Sequence, residues 1–374
     1  MSQFNGNTSL NIPKLRSNYK YKNSLCGVLI NAIKIKNLVN LILSEAKKSK
    51  KKSGFIFVTT TKNRGTNFIL LPLRRTHNLV CGAATVYDLQ TVNKIIKQID
   101  GKIDYILIDG EQKLPNQQNF VISIYKNVSK SKVLTFKGND STADAADALL
   151  AYLLPFPEKK KMAVIGVGNI GSKVALKLVE RGYDVFVGRS KSSDAKQIAN
   201  AINLIKPKYC LSIAKAKKLS EIAKNMDVLI GFSAGIPVIS KKMILQMNKN
   251  GLILDGGLGT VNKNAISAAQ KKNIKIIRLD IRAGFAATAE LLFETKTLVE
   301  ETMGSIKYCD INIIAGGLYG KIGDAVVDSI TRPTQFIGFS DGMGELIWHS
   351  YSLELKRNEK IVKHWLHMKS KKLI

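Results

Sequence analysis

The sequence predicts an α/β chain of two domains, the second built on a doubly wound parallel sheet. Three observations predict it. Short apolar runs of strand type alternate with helical patterns over most of the 374 residues. A joint with two prolines, Pro155-Phe156-Pro157, divides that alternation. Beyond the joint, G-x-G-x-x-G follows one strand-like run and opens a helix, from Gly166 to Gly171.

In chain order, residues 1–24 read as a basic arm with little periodicity. A short helix is expected over Asn37–Lys48, ending in the lysine run that leads to Gly54. Strands are expected at Phe55–Thr59 and Asn67–Leu71. A helix over Leu89–Ile99 places Val92, Ile95, Ile96 and Ile99 on one face. Asp104–Asp109 and Lys132–Phe136 read as buried strands. Ala143–Leu154 reads as an alanine-rich helix stopped by Pro155 and Pro157. Residues 25–157 therefore form an α/β substrate domain.

Met162–Ile165 is an apolar strand that runs into Gly166-Val167-Gly168-Asn169-Ile170-Gly171. An amphipathic helix over Ser172–Arg181 follows, closed by Gly182, and Asp184–Val187 is the next strand. This is a βαβ unit with its glycines at the first turn. Gly166 makes the turn, Gly168 lets a pyrophosphate approach the backbone, and Gly171 lets helix and strand pack closely. The helix start offers free N–H groups and a positive dipole end to phosphate. Residues 158–300 are expected to be a Rossmann-type domain, and Val167, Asn169 and Ile170 belong to its phosphate-binding turn.

The second strand of such a unit ends in Asp or Glu when NAD is held through its ribose hydroxyls. Here Gly188 is followed by Arg189, Ser190 and Lys191, groups suited to the 2′-phosphate of NADP(H). They are also compatible with the basic surface of the chain as a whole. Met226–Gly231, Leu252–Asp255 and Ile274–Asp280 are further strands. The loops after the first two make Ser233, Ala234, Gly235, Asp255 and Gly256 candidates for the cofactor pocket, or simple turn residues.

The order of an α/β domain followed by a Rossmann domain resembles the superfamily of shikimate dehydrogenase, methylenetetrahydrofolate dehydrogenase and the amino-acid dehydrogenases. Gly138-Asn139-Asp140-Ser141-Thr142-Ala143-Asp144 resembles the G-x-N-T-D element that opens a helix in shikimate dehydrogenases, with four residues between Asn139 and Asp144. Leu252–Gly259 resembles the Asp-bearing strand end of the folate dehydrogenases. The resemblance implies a dehydrogenase or reductase, with Asp144 acting beside a lysine and Asn139 at the same helix start. Lys113, in Asp109-Gly-Glu-Gln-Lys113, stands by position where the family's lysine loop would be. It implies hydride transfer with a small polar carbonyl or imine substrate in an interdomain cleft, where Lys113 and Asp144 would face each other. Asp144 can equally serve as an acid near the helix start, with Ser141 or Thr142 as N-cap, and Lys113 as a solvated surface lysine.

Composition bounds the rest. A hydrophobic share of 45% with 23% charged residues is that of a globular chain. No apolar run is long enough to span a bilayer, and the first residues lack a signal-peptide core, so a cytoplasmic protein without a membrane partner is expected. Cys26, Cys81, Cys210 and Cys309 are far apart, and no metal site is expected. Of the net charge of +30, residues 1–53 carry eleven cations and one acid. Lysine outnumbers arginine 48 to 10, which points away from base reading, and nucleic acid is not expected as a partner. A non-catalytic nucleotide or redox sensor and a basic nucleic-acid-associated protein are the competing readings. Residues 301–374 end in a basic amphipathic helix expected to dock on its own body or on a sister subunit in a homodimer.

Overall fold

The computed structural model describes residues 25–60, 68–114, 117–155, 160–233, 235–348 and 350–371. The basic arm 1–24, the centre of the proline joint and Ala234 lie outside them. Among the described residues, no helix is long and apolar enough to cross a membrane.

The first unit contains α1 (Leu25–Ser49), β1 (Lys52–Thr59), β2 (Phe68–Arg75), β3 (Leu79–Val86), α2 (Leu89–Ile99), β4 (Tyr105–Asp109), α3 (Gln117–Asn127), β5 (Lys132–Phe136) and α4 (Gly138–Leu153). Its sheet has the order β2-β3-β1-β4-β5, parallel except for the edge strand β2. One face is covered by α1, α2 and α3, through Ile42, Val92, Ile96 and Ile124 against Phe55, Phe57, Ile106 and Ile108. Each such buried side chain contributes about 1.5–3 kcal/mol of transfer free energy. Two elements were not expected. β3 is buried on both faces and so lacks the alternation that marks a half-exposed strand. In α3 the apolar residues are diluted by Gln, Asn and Ser.

The second unit runs through β6 (Lys161–Ile165), α5 (Asn169–Glu180), β7 (Asp184–Gly188), α6 (Ser192–Ile205), β8 (Ala214–Ala216), β9 (Val228–Gly231), α7 (Lys241–Gln246), β10 (Leu252–Asp255), α8 (Lys263–Lys271), β11 (Lys275–Arg278) and α9 (Arg282–Thr297). The parallel order β11-β10-β9-β6-β7-β8 is the doubly wound order of the Rossmann fold, which reverses direction between β6 and β9. Alternate residues of each strand separate its two cores. Met162 and Val164 face α5 and α6, while Ala163 and Ile165 face α7 and α8.

The two sheets exchange helices. The face of the Rossmann sheet that carries α5 is also covered by α4, through Ala143, Ala146 and Leu150. The bare face of the first sheet is covered by α9, through Phe285 and Ala289 against Ile56, Leu107 and Phe136. The two exchanged helices cross at Gly284, where an added Cβ would lie 1.9 Å from the Ser141 carbonyl oxygen. Helix α9 falls inside the expected 158–300 segment, yet its apolar face belongs to the first core.

Residues from 304 onward form a third unit that the sequence did not resolve into elements. It comprises β12 (Gly304–Tyr308), β13 (Ile311–Ala315), β14 (Ala325–Val327), β15 (Phe336–Phe339) and α10 (Leu353–Lys371). Helix α10 inserts Val362, Trp365 and Leu366 among Ile313, Val327 and Phe339, so this segment has its own core rather than extending the first.

Candidate functional site

The glycine turn has the geometry that its three tasks require. Gly166 has φ +87°, and a Cβ there would lie 2.2 Å from the Phe232 carbonyl oxygen. At Gly171 a Cβ would lie 2.5 Å from the Gly166 carbonyl oxygen, which fixes how closely α5 packs on β6. Gly168 differs, because a Cβ there meets nothing within 4 Å. Its missing side chain leaves open space above the start of α5. That helix is capped by no side chain, so the backbone N–H groups of Asn169, Ile170 and Gly171 face that space without intrahelical partners. Val167 is buried beneath the turn. This cradle fits a dinucleotide pyrophosphate.

Beside it, Gly188 ends β7, and Arg189, Ser190 and Lys191 are exposed in the loop to α6. Arg189 makes a long contact, 3.7 Å, to Asp194. The strand ends on the other side of the reversal are occupied with building their own loops. Ser233 donates its hydroxyl to the Ile236 carbonyl, and Gly235 turns at φ +80°. Asp255 accepts from the Gly257, Gly259 and Thr260 N–H groups and from the Thr260 hydroxyl, at 2.8–3.3 Å. Burial pushes its carboxyl upward, but those hydrogen bonds outweigh burial and hold it below the ordinary aspartate value. The space left by Gly256 is filled by the Phe232 ring, 2.2 Å from a built Cβ. Ala234 lies outside the described residues.

The other wall comes from the first sheet. β4 ends at Asp109, whose side chain is 0% exposed. Lys113, four residues on and 16% exposed, places Nζ 2.5 Å from Asp109 and 3.4 Å from Glu111. Asp109 also accepts from the Glu111 and Gly138 N–H groups. Glu111 in turn accepts from the Asn139 N–H at 2.5 Å and lies 3.6 Å from Lys173 of α5. Lys173 also pairs with Asp140. Burial raises the Asp140 carboxyl, and hydrogen bonds from Lys173 and Lys137 more than reverse this. Asn139 closes the circuit by donating its side-chain amide to Asn169 Oδ1, 3.3 Å away in the glycine turn.

The expected pairing of Lys113 with Asp144 is corrected by this geometry. Asp144 pairs with Lys177 of α5 at 2.9 Å, one turn farther from the glycine turn along α5 than Lys173, and no ion pair joins it to Lys113. The cause is the helix start. α4 begins at Gly138 with Lys137 in the N-cap position, five residues before the expected Ala143, so Asp144 lies in its second turn. Ser141 and Thr142 accordingly lie inside the helix and donate to the Lys137 and Gly138 carbonyls instead of capping it. The carboxylates around Lys113 are Asp109 and Glu111, which the sequence reading passed over. A buried run ending in a carboxylate, Tyr-Ile-Leu-Ile-Asp109, is a signal that could have found the first.

Residues 161–232 match the model of a family described as NADP oxidoreductase, coenzyme F420-dependent. The match spans the glycine turn and the strands on both sides of the reversal. It defines the class: the chain is an NAD(P)-dependent dehydrogenase or reductase, with NADP(H) as its cofactor. No curated protein sequence matches the chain. Among solved structures, it is similar to the dipicolinate synthase chain from Bacillus halodurans (16% identity, 57% of this chain and 71% of that one, TM-score 0.33). It is also similar to L-tryptophan dehydrogenase from Nostoc punctiforme (13%, 58% and 61%, 0.37). A third is the hetero-hexameric glutamate dehydrogenase from Thermus thermophilus (14%, 67% and 70%, 0.40).

Proposed function

We propose that the chain interconverts a small polar carbonyl or imine compound and its reduced form in the cleft between the glycine turn and the Lys113 loop. The observation that carries this reading is the Asn139–Asn169 hydrogen bond, 3.3 Å, which joins the Lys113 cluster to the cofactor cradle. NADP(H), when bound, supplies or accepts the hydride. The Gly166–Gly171 turn would hold its pyrophosphate, and Arg189, Ser190 and Lys191 its 2′-phosphate.

In the reducing direction, the Lys113 ammonium donates a proton to the substrate oxygen or nitrogen as the carbon is reduced. The amine left behind is reprotonated from water, and the oxidising direction reverses each step. Asp109 and Glu111 hold the ammonium in place. Asn139 fixes the distance between the loop and the glycine turn. Asp144 acts at the α4–α5 contact.

The test has two stages. Calorimetry should show that Gly168→Val weakens NADP(H) binding by about 100-fold or more while thermal stability holds, because the new side chain enters only open space. A panel of 2-oxo acids, imines and aldehydes with NADPH then identifies a substrate. On that substrate Lys113→Met should lower kcat by about 10²–10⁴-fold with unchanged cofactor affinity. Full activity in Lys113→Met would remove the lysine from the mechanism, and undiminished binding in Gly168→Val would place the nucleotide elsewhere.

A further inference from the structure

The third unit is built on a sheet with one covered face. Helix α10 packs on that side, against Ala325, Val327 and Phe339. Val326, between the first two, belongs to the other side and floors a cavity of about 510 Å³ walled by Tyr319, Leu346 and Trp348. A sheet face left to water is ordinarily polar. This one is apolar, and at and beside the cavity Tyr319, Ile322, Met343 and Trp348 are 68%, 76%, 85% and 76% exposed.

Those side chains stand on two loops that are fixed to each other. The Ser340 hydroxyl donates to the Tyr319 carbonyl at 2.5 Å and accepts from the Gly342 N–H, and the Gly323 N–H donates to the Ser340 carbonyl. Asp341 holds the loop tip by accepting from the Met343 and Glu345 N–H groups at 2.7 and 3.0 Å. Gly344, at φ +106°, lets the Tyr319 ring lie against the turn, 2.9 Å from a built Cβ. A projection, Met343, and a recess therefore stand side by side on one firm surface.

Charge selects the occupant. Residues 311–352 hold two cations, Lys321 and Arg332, against four carboxylates, Asp324, Asp328, Asp341 and Glu345, in a chain of net charge +30. An acidic partner would be drawn to the basic surfaces elsewhere. A body as cationic as the chain itself meets least repulsion where lysines are scarce, and charges more than about 8 Å from the contact are screened at physiological salt. Area agrees with a second copy. Large aromatic side chains bury about 150–250 Å² each, so the four exposed groups offer roughly 500–600 Å² before backbone and rim are counted. A stable pair of proteins buries about 800 Å² on each partner. Shape agrees as well, because a two-fold contact needs one patch to carry both the projection and the recess that receives it.

We infer that two copies of the chain pair across this face about a two-fold axis, each Met343 seated in the cavity of the other copy beside its aromatic rings. The third unit joins the chain beyond the end of α9, where the Ile330 and Thr331 N–H groups bond to the Thr302 and Glu301 carbonyls. That is the opposite end of α9 from its crossing with α4, so the pairing leaves the glycine turn and the Lys113 loop open.

Sedimentation equilibrium of the full chain at physiological salt, from micromolar to sub-millimolar concentration, tests it. The wild type should be a dimer at the upper end. Met343→Lys sets a lysine against a lysine across the axis and should raise the dimer dissociation constant by about 100-fold or more. Unchanged NADP(H) affinity checks that the variant is folded. Should it misfold, Ile322→Ser decides, with a loss of about tenfold expected. Leu211→Ser, at a 94% exposed apolar site in the loop before β8, should leave the dimer intact. A wild type that stays monomeric throughout would overturn the proposal and leave the face to a different partner. A dimer that withstands Met343→Lys, or that Leu211→Ser disperses, would place the contact elsewhere and overturn it too.

Discussion

Helix α4 carries two sets of acid–base pairs against the same neighbour, and they differ in what surrounds them. Near its start, Asp140 joins Lys173, Glu111, Lys113 and Asp109 in a branched cluster that ends in a fully buried carboxylate. Farther along, Asp144 meets Lys177 in a contact open to water, and a mostly covered Asp147 meets the half-exposed Arg181, each in a one-to-one contact. The chemistry of each pair is the same, and burial and branching separate them. An exposed pair can exchange its partner for water at little cost, so it serves to align two helices. A pair anchored on a buried carboxylate cannot, so its cation is fixed in position.

Removing one carboxylate from each set should show the largest effect. Asp109→Asn leaves the Lys113 ammonium with Glu111 alone at 3.4 Å, and should cost about 3 kcal/mol of stability, the lower end for a broken buried pair. Asp144→Asn should cost less than about 1 kcal/mol. Denaturant unfolding of both variants measures the two. Equal losses would abolish the distinction drawn between the sets.

How much of this was legible in the sequence follows from the same contrast. The glycine turn could be read because each of its residues is constrained by backbone contact within one βαβ unit, from β6 to β7. The branched cluster could not, since Asp109, Glu111 and Lys173 belong to different elements that meet only when α4 leaves the first sheet to cover the second. The acids Asp140, Asp144 and Asp147 and the cations Lys173, Lys177 and Arg181 each recur at helical spacing. That pattern was present in the sequence, and the early start of α4 hid which acid faces the cleft. β3 escaped because Leu79–Val86 is apolar and small on both faces, with Gly82 lying under Leu38 and Ile42. The third sheet escaped because its strands are only three to five residues long and are separated by glycine loops.

A second, smaller effect is expected where a pair is looser still. Arg189 lies 3.7 Å from Asp194 and is half exposed, so its guanidinium can leave that contact for a phosphate at little cost. Arg189→Ala should weaken NADP(H) binding by about tenfold and leave NAD(H) binding nearly unchanged, the difference being one charge-assisted hydrogen bond. Calorimetry with both cofactors reads it. An equal loss for the two would mean that Arg189 supports the loop and not the extra phosphate.

The smallest effect belongs to the exposed set, and its sign distinguishes it from the cleft. The hydrogen bond from Lys177 to Asp144 raises the lysine above its ordinary value of 10.5, with burial opposing and the charges of Asp144 and Asp147 assisting. A group raised on folding stabilises fully below its unfolded value, and that contribution is lost as pH rises through the folded one. The stability gap between wild type and Lys177→Met should therefore be constant, and below about 1 kcal/mol, from neutral pH up to 10.5, then close at higher pH. Asp140 behaves in the opposite sense. Its carboxyl is held below 3.8, so its contribution is present above that value and is lost as pH falls through the depressed one. Chemical denaturation of wild type, Lys177→Met and Asp140→Asn over the two ranges would separate an alkaline-sensitive ladder from an acid-sensitive cleft. If the Lys177→Met gap instead closed on the acid side, the carboxylates would dominate both sets, and burial would not be what divides them.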